Sequence, residues 1–115
     1  GLLTRQIGSF TYASEVLDGV SAKDLRGMVD EAKKGVGSGV VALISVIDGK
    51  AALIVGVTDD LSARIGAVGL ARIGVAELGG NGGGGRADMA QGGGPNANKA
   101  DLAIAAIEKV LAEAD

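Results

Sequence analysis

A chain of 115 residues that is 47% apolar, carries a formal charge of −3 and contains neither cysteine nor histidine has room for one hydrophobic core and a short list of chemistries. The two absences exclude disulfides, thiolate or imidazole metal sites, cysteine nucleophiles and His-dependent triads. The acidic balance argues against holding nucleic acid by bulk positive charge, and with Phe10 and Tyr12 as the only aromatics base stacking on aromatic platforms is disfavoured too, so any phosphate contact has to be local.

Residues 1–8, "GLLTRQIG", show no period and read as a linker or lead-in. A chain that opens on Gly1 rather than Met is expected to be a piece of something longer. Ser9 to Leu17 alternates loosely around Phe10, Tyr12, Val16 and Leu17 and reads as a first strand, closed by Asp18-Gly19. Ser21 has the chemistry of a helix N-cap, with Asp24 three residues on partly imitating a capping box. Leu25, Met28, Val29 and Ala32 then recur at helical spacing, and Lys33 and Lys34 precede Gly35, a natural stop. The spacing predicts a helix of about four turns.

Val40–Ile47 and Ala51–Val57 are apolar runs on either side of Asp48-Gly49, a dipeptide favoured in tight hairpins because both central positions take positive φ. Their near-continuous apolarity predicts a sheet covered on both faces. Ser45 reads as a small buried hydroxyl, since no base is available to activate it. Asp59 or Asp60 is expected to cap the next helix, which fits the pair better than an acid-base or metal role. In that helix Leu61, Ile65, Val68, Val75 and Leu78 share one side, and Gly66, Gly69 and Gly74 each weaken it by about 1 kcal/mol relative to Ala. Arg64 and Arg72, eight apart, read as neighbours on its polar side, either as solvated charges or as a basic track toward Arg86. A final helix is expected to open at Asn98 with Asp101 and to bury Leu102, Ala106, Val110 and Leu111, with Ile107 at the edge. The order β-α-β-β-α-glycine loop-α implies an α/β fold: a small sandwich in which helices pack a mixed β-sheet, with residues 9–115 as one domain. The longest apolar run is far too short to span a membrane and no signal peptide opens the chain, so the expected setting is cytoplasmic, with no membrane partner.

Between the last two helices lies "GGNGGGGRADMAQGGG", in which nine of sixteen residues are glycine. Gly80 and Gly85 have P-loop spacing, but Arg86 stands where Lys is needed and Ala87 where a Mg²⁺-binding hydroxyl is needed, and the segment leaves a helix rather than a strand. ATP hydrolysis here is therefore disfavoured. Runs of glycine let successive N–H groups converge on an anion and let a bulky ligand approach the main chain. Arg86 adds a planar fork. The second run, Gly92–Gly94, leads through Pro95 to a helix N-terminus. Two glycine-lined anion sites suggest a grip on a sugar-phosphate backbone; on composition alone a flexible linker is the competing reading. Met89 reads as a packing residue.

The sequence of a glycine run, Arg86, "DMAQ" and a second glycine run, placed after a helix–hairpin–helix unit and before "ADLAIAAIEKVLAEA", resembles the C-terminal domain of bacterial alanyl-tRNA synthetases, a module similar to the DHH-associated domain of DHH-family phosphoesterases. The resemblance covers residues 9–115 and implies that the glycine motif is an ordered, nucleic-acid-facing part of the domain. It implies a non-catalytic module that holds the outer corner, or elbow, of tRNA while other domains aminoacylate and edit, and that contributes to dimers in some members. On this resemblance the RNA contacts fall to Gly82, Gly83, Gly84, Gly85, Arg86, Gln91, Gly92, Gly93 and Gly94. Asn81, Asn96, Asn98 and Lys99 join them on local chemistry alone. The partners implied are tRNA and the catalytic and editing domains of the same chain, and ATP, Mg²⁺ and Zn²⁺ are expected only for the full-length enzyme. Many phosphoesterase relatives end the glycine run in His, where this chain has Arg86, which favours the synthetase branch. Without His the chain cannot supply either family's histidine-dependent chemistry. Alternatives are a homodimerisation module and a phosphoesterase accessory domain.

Overall fold

In the computed structural model, which describes residues 1–114, the chain runs β1 (Leu3–Ile7), β2 (Phe10–Asp18), α1 (Ala22–Val36), β3 (Gly39–Ile47), β4 (Lys50–Val57), α2 (Asp59–Ser62), α3 (Ala67–Glu77), β5 (Gly84–Gly85), β6 (Met89–Gly94), a 3-10 turn (Ala97–Lys99) and α4 (Ala100–Ala114). The six strands form one mixed sheet in the order β1-β2-β3-β4-β6-β5. Among the described residues only β2 and β3 pair in parallel, and α1 supplies the crossover that a parallel pair requires. Asp48 and Gly49 both take positive φ, 52° and 77°, which gives the tight β3–β4 turn its sense.

Alternation along the aliphatic runs sends side chains to two cores. Val40, Ala42, Ile44, Leu53 and Val55 face α3 and α4; Val41, Leu43 and Ile54 face Leu25 and Val29 of α1. The sheet is thus the middle of three layers. The buried Tyr12 hydroxyl donates to the Ile104 carbonyl at 2.9 Å, and burial, with Glu108 adding to it, pushes its pKa up so that the phenol stays a donor. Ser45 is buried and satisfied: its hydroxyl accepts from Val20 N–H at 3.0 Å and donates to the Val20 carbonyl at 2.7 Å. Ser21 caps α1 by accepting from Asp24 N–H.

Several expectations need correction. Leu3–Ile7 is not a lead-in but an edge strand, paired antiparallel to β2. It is held by its backbone ladder while its side chains remain largely exposed, which removes the periodicity that would have revealed it. The long helix from Asp59 is two helices, because Gly66 adopts an extended backbone (φ −81°, ψ 139°) ahead of α3. The residue preceding α2 is Thr58, not Asp59 or Asp60. α1 continues through Gly35 and stops at Gly37, where φ is 73°. Asn98 lies in the 3-10 turn and does not open α4. The buried side of α4 is rotated to Ala100, Ala103, Ile107 and Leu111, leaving Leu102 51% exposed. Close packing of α4 on α3 accompanies the rotation: a Cβ on Gly74 of α3 would stand 2.5 Å from Leu53 Cδ2 and 3.1 Å from Ile107 Cδ1.

The largest departure is the glycine segment. It is not a loop: Gly84–Gly85 and Met89–Gly94 form a hairpin, β5–β6, that extends the sheet from β4. Its tip is pinned to both neighbours, as Val57 N–H donates to the Asp88 carbonyl (2.9 Å) and Ala67 N–H to the Ala87 carbonyl (2.8 Å). A Cβ added to Gly94 would stand 2.3 Å from the Leu78 carbonyl oxygen, and one added to Gly80 2.0 Å from that of Gly93. Backbone meets backbone there. Gly84, by contrast, has no atom of the described residues beyond its chain neighbours within 4 Å of where its Cβ would be, and no positive φ.

Two stability predictions follow from these contacts. Gly94→Ala should lower unfolding stability in urea by about 1–3 kcal/mol, the usual scale of a forced overpacking, whereas Gly84→Ala should stay within about 0.5 kcal/mol. The second concerns Asp60, whose carboxylate accepts from the Ser38 and Thr58 hydroxyls. Those bonds, Ser38 first, hold its pKa below the ordinary carboxylate value. A depressed folded-state pKa contributes stability above the unfolded value and loses it as pH falls through the folded one. Asp60→Asn should therefore flatten the fall in stability below about pH 4, the unperturbed range for Asp, as measured by urea midpoints against pH.

Candidate nucleic-acid interface

The two faces of the β5–β6 hairpin are unlike. On one face α3 packs against glycine: Val75 lies where a Cβ on Gly92 would be, 2.5 Å from its Cγ2. Arg72 Nε donates to the Gly83 carbonyl at 3.2 Å and ties the ribbon down from the same side. On the other face the helix is α1, whose packing is mainly on β3 and β4, so part of the hairpin lies beyond it. There Gly84 and Gly85 floor a cleft of about 320 Å³ lined also by Arg26, Asp30, Arg86, Met89, Ala90 and Gln91.

Each residue of "RADMAQ" has a place in this arrangement. Arg86 and Met89 close the hairpin, with Arg86 N–H donating to the Met89 carbonyl at 2.8 Å. Asp88 pairs with Arg86 Nε (3.4 Å) and with Lys33 Nζ of α1 (3.9 Å). Met89 packs toward the α1 core, as a packing residue should, and Ala90 toward the opposite core. Gln91 lies directly opposite Gly84, so the two share a face. Its Oε1 accepts from Arg26 Nη2, which leaves its amide N–H groups free to donate.

Of the residues singled out in the sequence, Gly84, Gly85, Arg86 and Gln91 come together at the cleft. The Arg86 side chain is 79% exposed, with its Nε paired to Asp88. Gly82 and Gly83 lead into β5 with left-handed backbones, φ 80° and 104°. Gly92, Gly93 and Gly94 are strand residues paired with Leu53, Ala52 and Ala51. The two glycine runs are thus strands of one hairpin and not two separate anion sites. Asn81, Asn96, Asn98 and Lys99 are exposed but lie toward the other end of β6, about 17 Å from the hairpin turn at the usual rise per residue. There the Asn96 side chain lies over Gly79.

The basic track does not form as expected. Arg64 is exposed in the connection between α2 and α3, while Arg72, on α3, is committed to Gly83. The residues that sequence reasoning missed, Arg26, Asp30 and Lys33, all belong to α1. Their four- and three-residue spacing placed them on a polar side of that helix, but with β6 read as a loop nothing indicated what that side would meet.

Comparison with known proteins agrees with this architecture. A model of the DHHA1 domain matches residues 9–113. The chain is 55% identical over 111 residues to an alanine–tRNA ligase of Paramagnetospirillum magneticum, covering 96% of this chain and 13% of that protein, and 55% identical to one of Ruegeria pomeroyi, covering 96% and 12%. It therefore spans about an eighth of the length of these curated relatives. Among solved structures it superposes on the C-Ala domain of Aquifex aeolicus alanyl-tRNA synthetase with a TM-score of 0.89 at 30% identity, covering 96% of this chain and 98% of that one. The chain belongs to the DHHA1 domain family and, within it, to the C-Ala domains of alanyl-tRNA synthetases.

Proposed function

We propose that this chain is the tRNA-contacting module of an alanine–tRNA ligase, and that it holds the tRNA elbow on the glycine face of the β5–β6 hairpin. The observation that carries the reading is the open backbone of Gly84–Gly85 in a cleft that also holds Arg26, Arg86 and Gln91, in a domain of net charge −3. A phosphate chain approaches the backbone there without meeting a Cβ, and affinity comes from a few N–H groups and guanidinium forks. Recognition of this kind reads shape more than sequence. Amino-acid and ATP chemistry, with Mg²⁺ and Zn²⁺, is assigned to the other domains of the parent enzyme, in the cytoplasm. Among the described residues no helix is long and apolar enough to cross a membrane.

A second reading, assembly of two copies, has its own observation. Strand β1 is an outer edge of the sheet and carries Leu3, 69% exposed, with Val16 of β2 40% exposed. Unpaired apolar edges invite pairing. Light scattering at micromolar concentration is expected to show a dimer that Leu3→Lys dissociates if this edge assembles; a monomer removes the reading.

For the RNA reading, titration into labelled alanine tRNA at two salt concentrations should give saturable binding. Gly84→Val should weaken it at least about tenfold without loss of fold, because that position is open in the free domain. Arg86→Ala should weaken binding and lower the slope of log K against log salt by about one unit, the effect of one lost phosphate contact. Unchanged binding by Gly84→Val would move the contact elsewhere, and absence of binding by the folded wild-type domain would overturn the reading.

A further inference from the structure

The cleft beside Gly84 and Gly85 is not built for phosphate alone. A site for a bare anion collects donors, yet this one includes a carboxylate. Asp30 lies on its rim, exposed, with no hydrogen bond or ion pair among the described residues. It stands one helical turn after Arg26 on the same side of α1, a spacing that sets their Cβ atoms about 5–6 Å apart. The guanidinium of Arg26 is steadied by Gln91, and the Gln91 amide offers further N–H groups. One side chain on this wall is thus acceptor-only, and those beside it offer donors.

The rest of the cleft suits a flat, partly apolar body. Met89 contributes apolar wall, and Gly84 and Gly85 present bare peptide planes with no Cβ in the way. At about 320 Å³ the cleft falls at the small end of ligand sites, a volume suited to one base and not to a duplex. RNA loops and corners supply bases splayed out of the stack whose edges are free to be read.

Among the four bases, one edge matches this pattern. Guanine carries two adjacent donors, N1–H and the N2 amine, followed directly by two acceptors, O6 and N7. A carboxylate takes the donor pair in a bidentate contact while a guanidinium takes the acceptor pair. Adenine and cytosine each present one exocyclic amine and uracil a single ring N–H, so none of them offers a carboxylate two adjacent donor groups. We propose that the cleft between α1 and the β5–β6 hairpin receives one unstacked guanine, with Asp30 reading N1–H and N2–H and Arg26 facing O6 and N7. Asp30 is then a specificity-determining residue within an otherwise shape-reading interface. The proposal rests on the RNA reading above and deepens it, since it adds a base contact to a backbone grip.

The experiment uses the 115-residue chain, which closes two cores of its own and whose relative from Aquifex aeolicus is itself a separate domain structure. Guanosine, inosine, adenosine and cytidine monophosphates are titrated into the labelled domain while its amide spectrum is followed. Guanosine monophosphate should shift the amides of Gly84, Gly85, Ala90 and Gln91 saturably. Inosine monophosphate, which lacks only the N2 amine, should bind about tenfold more weakly, as expected for loss of one arm of a bidentate contact. Asp30→Asn, at an exposed helical position, should keep the wild-type spectrum elsewhere and abolish the preference for guanosine over inosine. Equal shifts by all four nucleotides, shifts outside the cleft, or an unchanged preference in Asp30→Asn would overturn the guanine assignment. Alanine tRNA titrated in parallel separates the two readings: if it binds while the nucleotides do not, the base pocket falls and the RNA-contacting role stands, and if neither binds, both fall.

Discussion

The organisation of this domain depends on backbone lying directly against backbone where the end of α3 meets β6. The Leu78 carbonyl faces Gly94 and the Gly93 carbonyl faces Gly80 at separations that leave no room for a Cβ on either glycine. With Gly79 N–H donating to the Ala76 carbonyl and Asn96 N–H to that of Leu78, the chain reverses out of α3 and later returns across its C-terminal turn. This seam places β6 beside β4 and so brings the glycine ribbon into the sheet. Glycine loses more backbone freedom on ordering than any other residue, and here the loss is offset by ladder hydrogen bonds on β6 and by Val75 packing against the bare backbone of Gly92. An ordered ribbon of glycine needs neighbours that close on it from one side only, and α3 is that neighbour.

Charge is arranged on the same principle. A domain of net charge −3 has no general positive field, and the cations near the hairpin are placed one at a time. Four of them surround the hairpin, and each is held by a bond to it: Arg26 to Gln91, Lys33 to Asp88, Arg72 to Gly83 and Arg86 to Asp88. Such bonds at the surface contribute little to stability one by one. Their consequence is orientation. A guanidinium already fixed at one nitrogen loses less freedom when its other nitrogens make a further contact.

How much of this was legible in the sequence differs by element. Asp48-Gly49 and its flanking runs gave the central hairpin, because a two-residue turn with positive φ and two buried strands leave strong local signals. Ser21 and the period of Leu25 and Val29 gave α1 for the same reason. Strand β1 left no signal, since its side chains stay in solvent and only its backbone is paired. β6 was hidden more deeply. Glycine carries no alternation and little strand propensity, so a strand ending in Gly92–Gly94 cannot be told from a loop until its partners are known. The candidate site was therefore half visible: Gly84, Gly85, Arg86 and Gln91, which line the cleft, stood out by their pattern, but the opposing wall on α1 did not, because it exists only once β6 takes its place in the sheet.

The glycines also divide into kinds that composition alone would merge. Gly80, Gly85 and Gly94 are required by the fold itself, since a side chain at any of them runs into a carbonyl oxygen. Gly84 meets nothing within the domain and needs no special backbone, so the fold gives no reason for its being glycine. Gly27, Gly35, Gly66 and Gly69 are open in the same way, and what sets Gly84 apart is its place in the cleft. Gly84 sits opposite Gln91, on the face that α3 does not cover, and so lies open toward the side of α1. The two neighbouring glycines of β5 thus differ in kind: a side chain at Gly85 would run into the partner strand, whereas Gly84 leaves the backbone open at the cleft.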